Sequence, residues 1–172
     1  MKPITFRDDD INFTTDLKRF KLIDELFIKY GVDHTIAVIA NGLEKSPELI
    51  DYIKAHPHIK VQIHCWDHTD STVKDANKLR DELGMAKNKV IELFGIPPVV
   101  WYPPWNKVTQ ENIDVAEGLG LRTSFIKVST SQYVKVDGDV EEESINFHYW
   151  ADSDTMFLEP ALQIYKKRYE TN

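Results

Sequence analysis

Short apolar segments of strand character alternate with amphipathic segments of helical periodicity along almost the whole chain. This alternation is the pattern of a parallel α/β sheet or barrel, in which helices cross over between strands. We predict seven strands, at residues 4–7, 35–40, 59–63, 99–102, 121–128, 133–136 and 144–149. Helices are predicted after the Thr14–Asp16 cap, from Ser46, over 71–94 with an interruption near Gly84, from Thr109 and over 157–169.

Length and charge narrow the class of protein. The 172 residues, 42% of them hydrophobic, suit a single globular domain over 1–172. A net charge of −7 argues against nucleic acid or an anionic membrane surface as the main partner. The single cysteine, Cys65, excludes an intrachain disulfide and is expected to be buried. We find no signal peptide and no membrane-spanning run, which predicts a soluble protein, in the cytoplasm or in a compartment that the sequence does not specify.

Polar clusters stand at the carboxyl ends of several predicted strands. Asp8, Asp9 and Asp10 end the first, His64 and His68 follow the third, residues 103–106 follow the fourth, and His148 lies in the last. Parallel α/β folds gather their functional groups at this edge of the sheet. His34, His56 and His58 are at the starts of strands or helices, and we therefore place them on the inactive side.

The two histidines suggest a shared metal ion. On a continuing strand His64 and His68 would lie roughly 13 Å apart, whereas a turn after His64 brings their side chains to within about 5–6 Å. Three adjacent aspartates repel one another unless a cation is present, although a solvated turn in which Asp10 caps the first helix also accounts for them. One Asp with two His suits catalytic zinc, and a second carboxylate can take a proton from water. Arg7 could keep that base ionised.

The loop after the fourth predicted strand has no acid or base. Its two prolines can direct the N–H of Trp105 towards an oxyanion, and the indole offers a face on which a sugar ring can stack. The alternative is a stiff loop that plugs the mouth of a barrel. Trp66, Trp101 and Trp150 are close to strand ends as well, either as core residues or as a carbohydrate surface. A histidine such as His148, facing a metal, can protonate a leaving group.

These segments together resemble the polysaccharide deacetylases of the carbohydrate esterase class. The likeness rests on TFRDDD at residues 5–10, HCWDH at 64–68 and PPWNK at 103–107, and it is similar to a divergent branch with an Arg-Asp-Asp-Asp start and a Pro-Pro-Trp-Asn loop. It implies a distorted, compact seven-stranded (β/α) barrel and a divalent metal site, usually filled by Zn²⁺. The implied function is that of a metal-dependent hydrolase, with a water molecule activated by the metal, that removes acetyl groups from an amino-sugar-containing glycan.

The resemblance also implies roles for individual residues. His64, His68 and Asp10 are expected to bind the metal, Asp9 to act as the base and His148 as the acid. An alternative has Asp8 as the base and Asp9 as the ligand, and strand alternation, which puts Asp8 and Asp10 on one face, gives a third option with Asp10 again as the ligand. Trp105 is expected to serve the oxyanion, and substrate contacts are expected from Arg7, Trp66, Tyr102, Pro104, Trp105 and Asn106.

Two positions depart from the family pattern. Tyr102 replaces the usual loop arginine, whose place Arg7 or Lys107 must take, and Asp152 or Asp154 must substitute for the late aspartate. A catalytically impaired carbohydrate-binding protein is therefore the alternative function.

Overall fold

Parallel strands form one curled sheet in the computed structural model, which describes residues 4–125, 128–140 and 144–169. The strands are β1 (Thr5–Ile11), β2 (His34–Ile39), β3 (Ile59–Cys65), β4 (Val100–Trp101), β5 (Arg122–Thr123) and β6 (Ser144–Phe147). They stand in the order β5-β4-β3-β2-β1-β6 and form a half-barrel. Because all pairs are parallel, every strand presents its carboxyl end at the same edge.

Helices follow the strands in the described part of the chain. They are α1 (Leu17–Tyr30), α2 (Pro47–Ala55), α3 (Ala76–Phe94), α4 (Gln110–Gly118), α5 (Thr130–Lys135), α6 (Asp152–Thr155) and α7 (Leu158–Tyr169). The Asp16 side chain accepts two backbone N–H groups at the start of α1, and Gly31 ends that helix with a φ of 61°. The α/β class and the parallel sheet are confirmed.

Three predicted elements differ from the structure. Residues 133–135 belong to α5 and Val136 caps its C-terminal end, because Ser129 and Gln132 form a reciprocal capping box that begins a helix rather than a strand. The described residues therefore contain six named strands and not seven, and the strand predicted at 121–128 is reduced to β5, with residues 126–127 outside the described part. The long helix begins only at Ala76 and runs through Gly84 without interruption, because its buried face continues on both sides of that residue.

The main core lies between the sheet and the helices. Its largest fully buried apolar side chains include Phe6, Phe20, Phe27 and Phe147, and Cys65 is buried as expected. In the described residues we find no helix that is long and apolar enough to cross a membrane. The edge formed by the carboxyl ends of the strands carries the polar side chains that the sequence singled out.

Candidate metal centre and active site

Asp10, His64 and His68 meet at the carboxyl edge of the sheet and form what we call the triad. Asp10 Oδ1 lies 3.2 Å from His64 Nε2 and 3.0 Å from His68 Nε2. The two Nε2 atoms are 3.1 Å apart. One ligand atom from each residue thus lies within 4.8 Å of the others, a spacing that one metal ion can bridge.

A backbone irregularity brings Asp10 to the triad. The pairing of β1 with β2 shifts register between Asp8 and Ile11, and Asp10 has a positive φ of 67°. This left-handed conformation costs an Asp residue about 1–3 kcal/mol and is typical of functional sites. The side chain of Asn12 donates to the Asp10 carbonyl at 2.7 Å and supports the bend. Asp8 and Asp10 therefore do not share a face, as regular strand alternation would require.

His68 reaches the triad because the chain turns immediately after β3. Asp67 accepts hydrogen bonds from the Thr69 hydroxyl at 2.7 Å and from Lys74 Nζ at 3.1 Å, and these bonds close the turn. Lys107 binds Asp70 at 3.3 Å, which joins this turn to the Pro-Pro-Trp-Asn loop. The condition under which two histidines four residues apart can share an ion is thus met.

The donor atoms of the triad fit a cation. His64 Nδ1 lies 2.7 Å from the Tyr102 carbonyl, which requires a proton on Nδ1 and leaves a lone pair on Nε2. Burial alone would raise the pKa of Asp10, but the imidazoles of His64 and His68 hold it well below its usual range. The hydrogen bond to Asp10 in turn raises the pKa of His68. Proton and cation therefore compete for the same lone pair, as at a metal site.

Asp9 directly precedes the triad residue Asp10 in β1 and is almost fully buried. Its Oδ2 accepts from Asn146 Nδ2 at 2.6 Å and lies 3.3 Å from Arg7 Nη2. Among the described residues no group hydrogen-bonds to its buried Oδ1, which is thus available to accept a proton. In the sequence, Asn146 is recognisable only as a polar residue between Ile145 and Phe147. Parallel register places it directly opposite Arg7.

Arg7 is fully buried and holds several groups of the site together. Besides Asp9, its guanidinium donates to the Asn106 side chain and to the Ser124 carbonyl, and it lies 4.6 Å from the centre of the Tyr102 ring. It is therefore a supporting residue, and because its side chain is 0% exposed it offers no surface for the substrate contact that the sequence predicts.

His148 faces the triad from the end of β6. Its Nε2 lies 3.7 Å from Asp10 Oδ2, and its Nδ1 lies 2.8 Å from Asp154 Oδ2. Asp154 also accepts the His148 backbone N–H at 3.1 Å. Of the two aspartates considered, Asp154 is thus the partner of His148, whereas Asp152 pairs with Arg19.

Asp8 points away from the triad, into the layer between sheet and helices. Its Oδ1 accepts the Tyr149 backbone N–H at 2.8 Å, and its Oδ2 lies 3.5 Å from His34 Nε2. Burial raises the pKa of Asp8 to about 6. Asp8 therefore does not face the triad, where a base that activates water would have to lie.

The Pro-Pro-Trp-Asn loop lies against the triad. Trp105 and Asn106 both have positive φ, and the half-exposed indole of Trp105 packs edge-on against His68 with ring centres 4.6 Å apart. Tyr102, which precedes the loop, and Pro104 within it are both buried. These two side chains therefore offer no surface for the substrate contacts that the sequence predicts. Trp66 is half-buried and packs against the core.

Comparison with known proteins shows the family to which the chain belongs. The family model described as polysaccharide deacetylase matches residues 4–124, which include the triad, Asp9 and Trp105. The chain belongs to the polysaccharide deacetylase family. An uncharacterised 30.6 kDa protein of Geobacillus stearothermophilus is 32% identical over 106 residues, and chitin deacetylase 2 of Cryptococcus neoformans is 24% identical over 90 residues. These matches cover 61% and 52% of this chain but only 39% and 20% of the two relatives.

Solved structures of this deacetylase family share the fold. A family 4 carbohydrate esterase from Streptomyces lividans, in complex with acetate, has a TM-score of 0.80 at 15% identity, over 97% of this chain and 89% of that one. A CE4 family pseudoenzyme from Bacillus anthracis has a TM-score of 0.82 at 14% identity, over 98% and 62%. At such low identity the likeness shows the fold alone.

Proposed function

We propose that this polysaccharide deacetylase family chain is a metal-dependent hydrolase that removes N-acetyl groups from an amino-sugar-containing glycan. The observation that supports it most is the grouping of a carboxylate, an imidazole and three metal-binding side chains at the same edge of the sheet. His148 Nε2 lies 3.7 Å from Asp10 Oδ2 of the triad, and Asp9, which directly precedes Asp10 in β1, has a buried carboxylate oxygen without a hydrogen-bond partner among the described residues. We assign Asp10, His64 and His68 as ligands of a divalent metal, with Zn²⁺ as the best match for two nitrogens and one oxygen.

The protein's own groups then divide the proton transfers. A bound divalent cation would supply Lewis-acid activation of water and of the acetyl carbonyl. Asp9 Oδ1 takes the proton of the attacking water, while Arg7 and Asn146 hold the other oxygen of this carboxylate. His148, with its Nδ1–H donated to Asp154, gives its Nε2 proton to the departing sugar amine. The exposed indole of Trp105 provides a face for the sugar ring.

Acetate release tests this function directly. Protein loaded with Zn²⁺ would be incubated with N-acetylglucosamine oligomers, peptidoglycan fragments and O-acetylated xylan, and acetate would be quantified. We expect release from the N-acetylated substrates, loss of both metal and activity in His64→Ala and His68→Ala, and loss of activity with retained metal in Asp9→Asn. Metal-loaded protein that releases no acetate from the whole panel would refute the proposal.

A catalytically impaired carbohydrate-binding protein is the second candidate. It is favoured by Tyr102, which stands where the resemblance to the family implies a loop arginine. Against it, Arg7 occupies a position beside Asp9 from a different strand. Glycan binding without hydrolysis, equal in the wild type and in Asp9→Asn, would support this second reading.

A further inference from the structure

Three ionisable side chains are fully buried behind the candidate active site, in the layer between sheet and helices. His34 Nδ1 lies 2.9 Å from Asp24 Oδ1, and His34 Nε2 lies 3.5 Å from Asp8 Oδ2. The His34 ring stacks on Phe27 at 4.2 Å between ring centres. Burial opposes a charge on this imidazole, but the two carboxylates outweigh it and raise the pKa of His34. Burying three such groups is costly, and the proposed reaction uses none of them.

The network leads to the residue that follows His148. Asp8 Oδ1 accepts the Tyr149 N–H at 2.8 Å. The carbonyl of the same residue accepts from Arg19 Nε at 2.7 Å, and its hydroxyl accepts the Asp16 backbone N–H at 3.1 Å. Tyr149 is thus held at its amide, carbonyl and hydroxyl by three residues of β1 and α1 or its cap. We call this arrangement the Tyr149 anchor.

An anchored Tyr149 leaves the neighbouring imidazole little freedom. The backbone of His148 is fixed on one side by strand β6 and on the other by the Tyr149 anchor, and its ring is held by Asp154. Asp8 Oδ1 is the acceptor of the Tyr149 N–H at 2.8 Å, and an ionised acceptor makes a stronger hydrogen bond than a neutral one does. His34 Nε2, 3.5 Å from the other oxygen of this carboxyl group, can compensate a charge buried there.

We propose that Asp8, paired with buried His34, is a positioning residue that holds His148 in place through the Tyr149 amide. The inference rests on the proposed function, in which His148 protonates the leaving group. Loss of this positioning should affect some classes of substrate and spare others. An amine leaves only when it is protonated, whereas an aryl acetate has a good leaving group that departs without an acid. Loss of the anchor should therefore impair amide substrates and spare aryl acetates.

The test compares both substrate types in Asp8→Ala, with the full chain loaded with Zn²⁺. We expect kcat on N-acetylglucosamine oligomers to fall by about 10-fold, less than the roughly 10²–10⁴-fold that a general acid contributes, because the imidazole is displaced rather than removed. KM, metal affinity and turnover of 4-nitrophenyl acetate should stay unchanged. Asp8→Asn keeps an acceptor for the Tyr149 N–H and should recover most of the loss. Arg19→Ala, at a partly exposed position, should produce the same selective loss without threatening the fold.

Ile36→Ala is the matched control, because Ile36 is fully buried in the same layer and lies opposite Asp8 in the register. Equal losses on both substrates in Asp8→Ala, or a selective loss in the control, would overturn the inference. The imidazole chemical shifts of His148 provide a readout that needs no turnover. If the wild type proves inactive on every substrate, the proposed function fails. These shifts then decide positioning separately: a change in Asp8→Ala but not in Ile36→Ala supports it, and unchanged shifts refute it.

Discussion

Replacing Arg7 by methionine tests whether this buried guanidinium is the charge partner of Asp9. Met keeps most of the unbranched apolar stem of the side chain and removes the charged head. Asp9 is 4% exposed and would keep only the hydrogen bond from Asn146, at 2.6 Å. Removing one partner of a buried ion pair costs about 3–5 kcal/mol, because the other charge remains desolvated. Since Asn146 still compensates part of that charge, we expect the lower end, about 3 kcal/mol.

The double variant Arg7→Met/Asp9→Asn gives the sharper measurement. It removes the unpaired charge together with its partner, so it should be more stable than the sum of the two single losses predicts, by about 2 kcal/mol. Arg7→Lys keeps a charge but lacks the planar fork that reaches Asp9, Asn106 and Ser124 at once, and should fall between wild type and Arg7→Met.

Urea unfolding in the presence of a chelator measures these free energies without a contribution from bound metal. For a chain of this length, a loss of 3 kcal/mol corresponds to a fall in Tm of about 6–12 °C. Additive losses, within about 0.5 kcal/mol, would show that Arg7 and Asp9 do not act as a pair. The assignment of Arg7 as the substitute for the loop arginine would then be wrong.

Three further predictions concern the site. Zn²⁺ at about 100 times its Kd should add about 2.7 kcal/mol to the free energy of unfolding and raise Tm by about 5–11 °C, measured by thermal scans with and without chelator. The same scans on His68→Ala should show no such shift. Acidification should weaken metal binding, because the raised pKa of His68 means that a proton occupies the lone pair the metal needs; titrations at several pH values should show proton release on binding, and a pH-independent affinity would contradict this. Asp154→Asn should lower kcat on N-acetylated substrates by about 10-fold or more with little change in KM, measured by acetate release, whereas equal changes in kcat on aryl acetates would argue against a role through His148.

The sequence predicted the parallel α/β class because strand and helix signals are local. It failed at residues 133–136, where Tyr133 and Val136 suggested a strand. The capping box of Ser129 and Gln132 outweighs that pattern, and Tyr133 is buried in α5 against Phe6. The long helix was predicted to be interrupted at Gly84, but a single glycine costs only about 1 kcal/mol, which packing on both sides of it offsets.

The residues of the candidate site could be predicted where their spacing along the sequence determines the geometry. They could not be predicted where the geometry depends on how one strand pairs with its neighbour. His64 and His68 followed from a histidine pair at a strand end. The roles of Asp8, Asp9 and Asp10 did not follow, because regular alternation cannot reveal a shift in register. Nor could Asn146 be found, since its contact with Asp9 depends on which strand lies beside β1. The prediction that His34 lies on the inactive side did not anticipate its contact with Asp8 on the neighbouring strand.

The bend at Asp10 sends three consecutive carboxylates in three directions: towards His34 for Asp8, towards Arg7 for Asp9, and towards the histidines for Asp10. Mutual repulsion, which makes such a run improbable at first sight, is thereby removed by distance and by separate cationic or proton-bearing partners. One consequence concerns evolution. Inserting or deleting a single residue in this strand would exchange all three environments at once. A substitution would therefore change one of these environments at a time, whereas a change in strand length would disturb all three, and the three aspartates have separate roles only because of the bend.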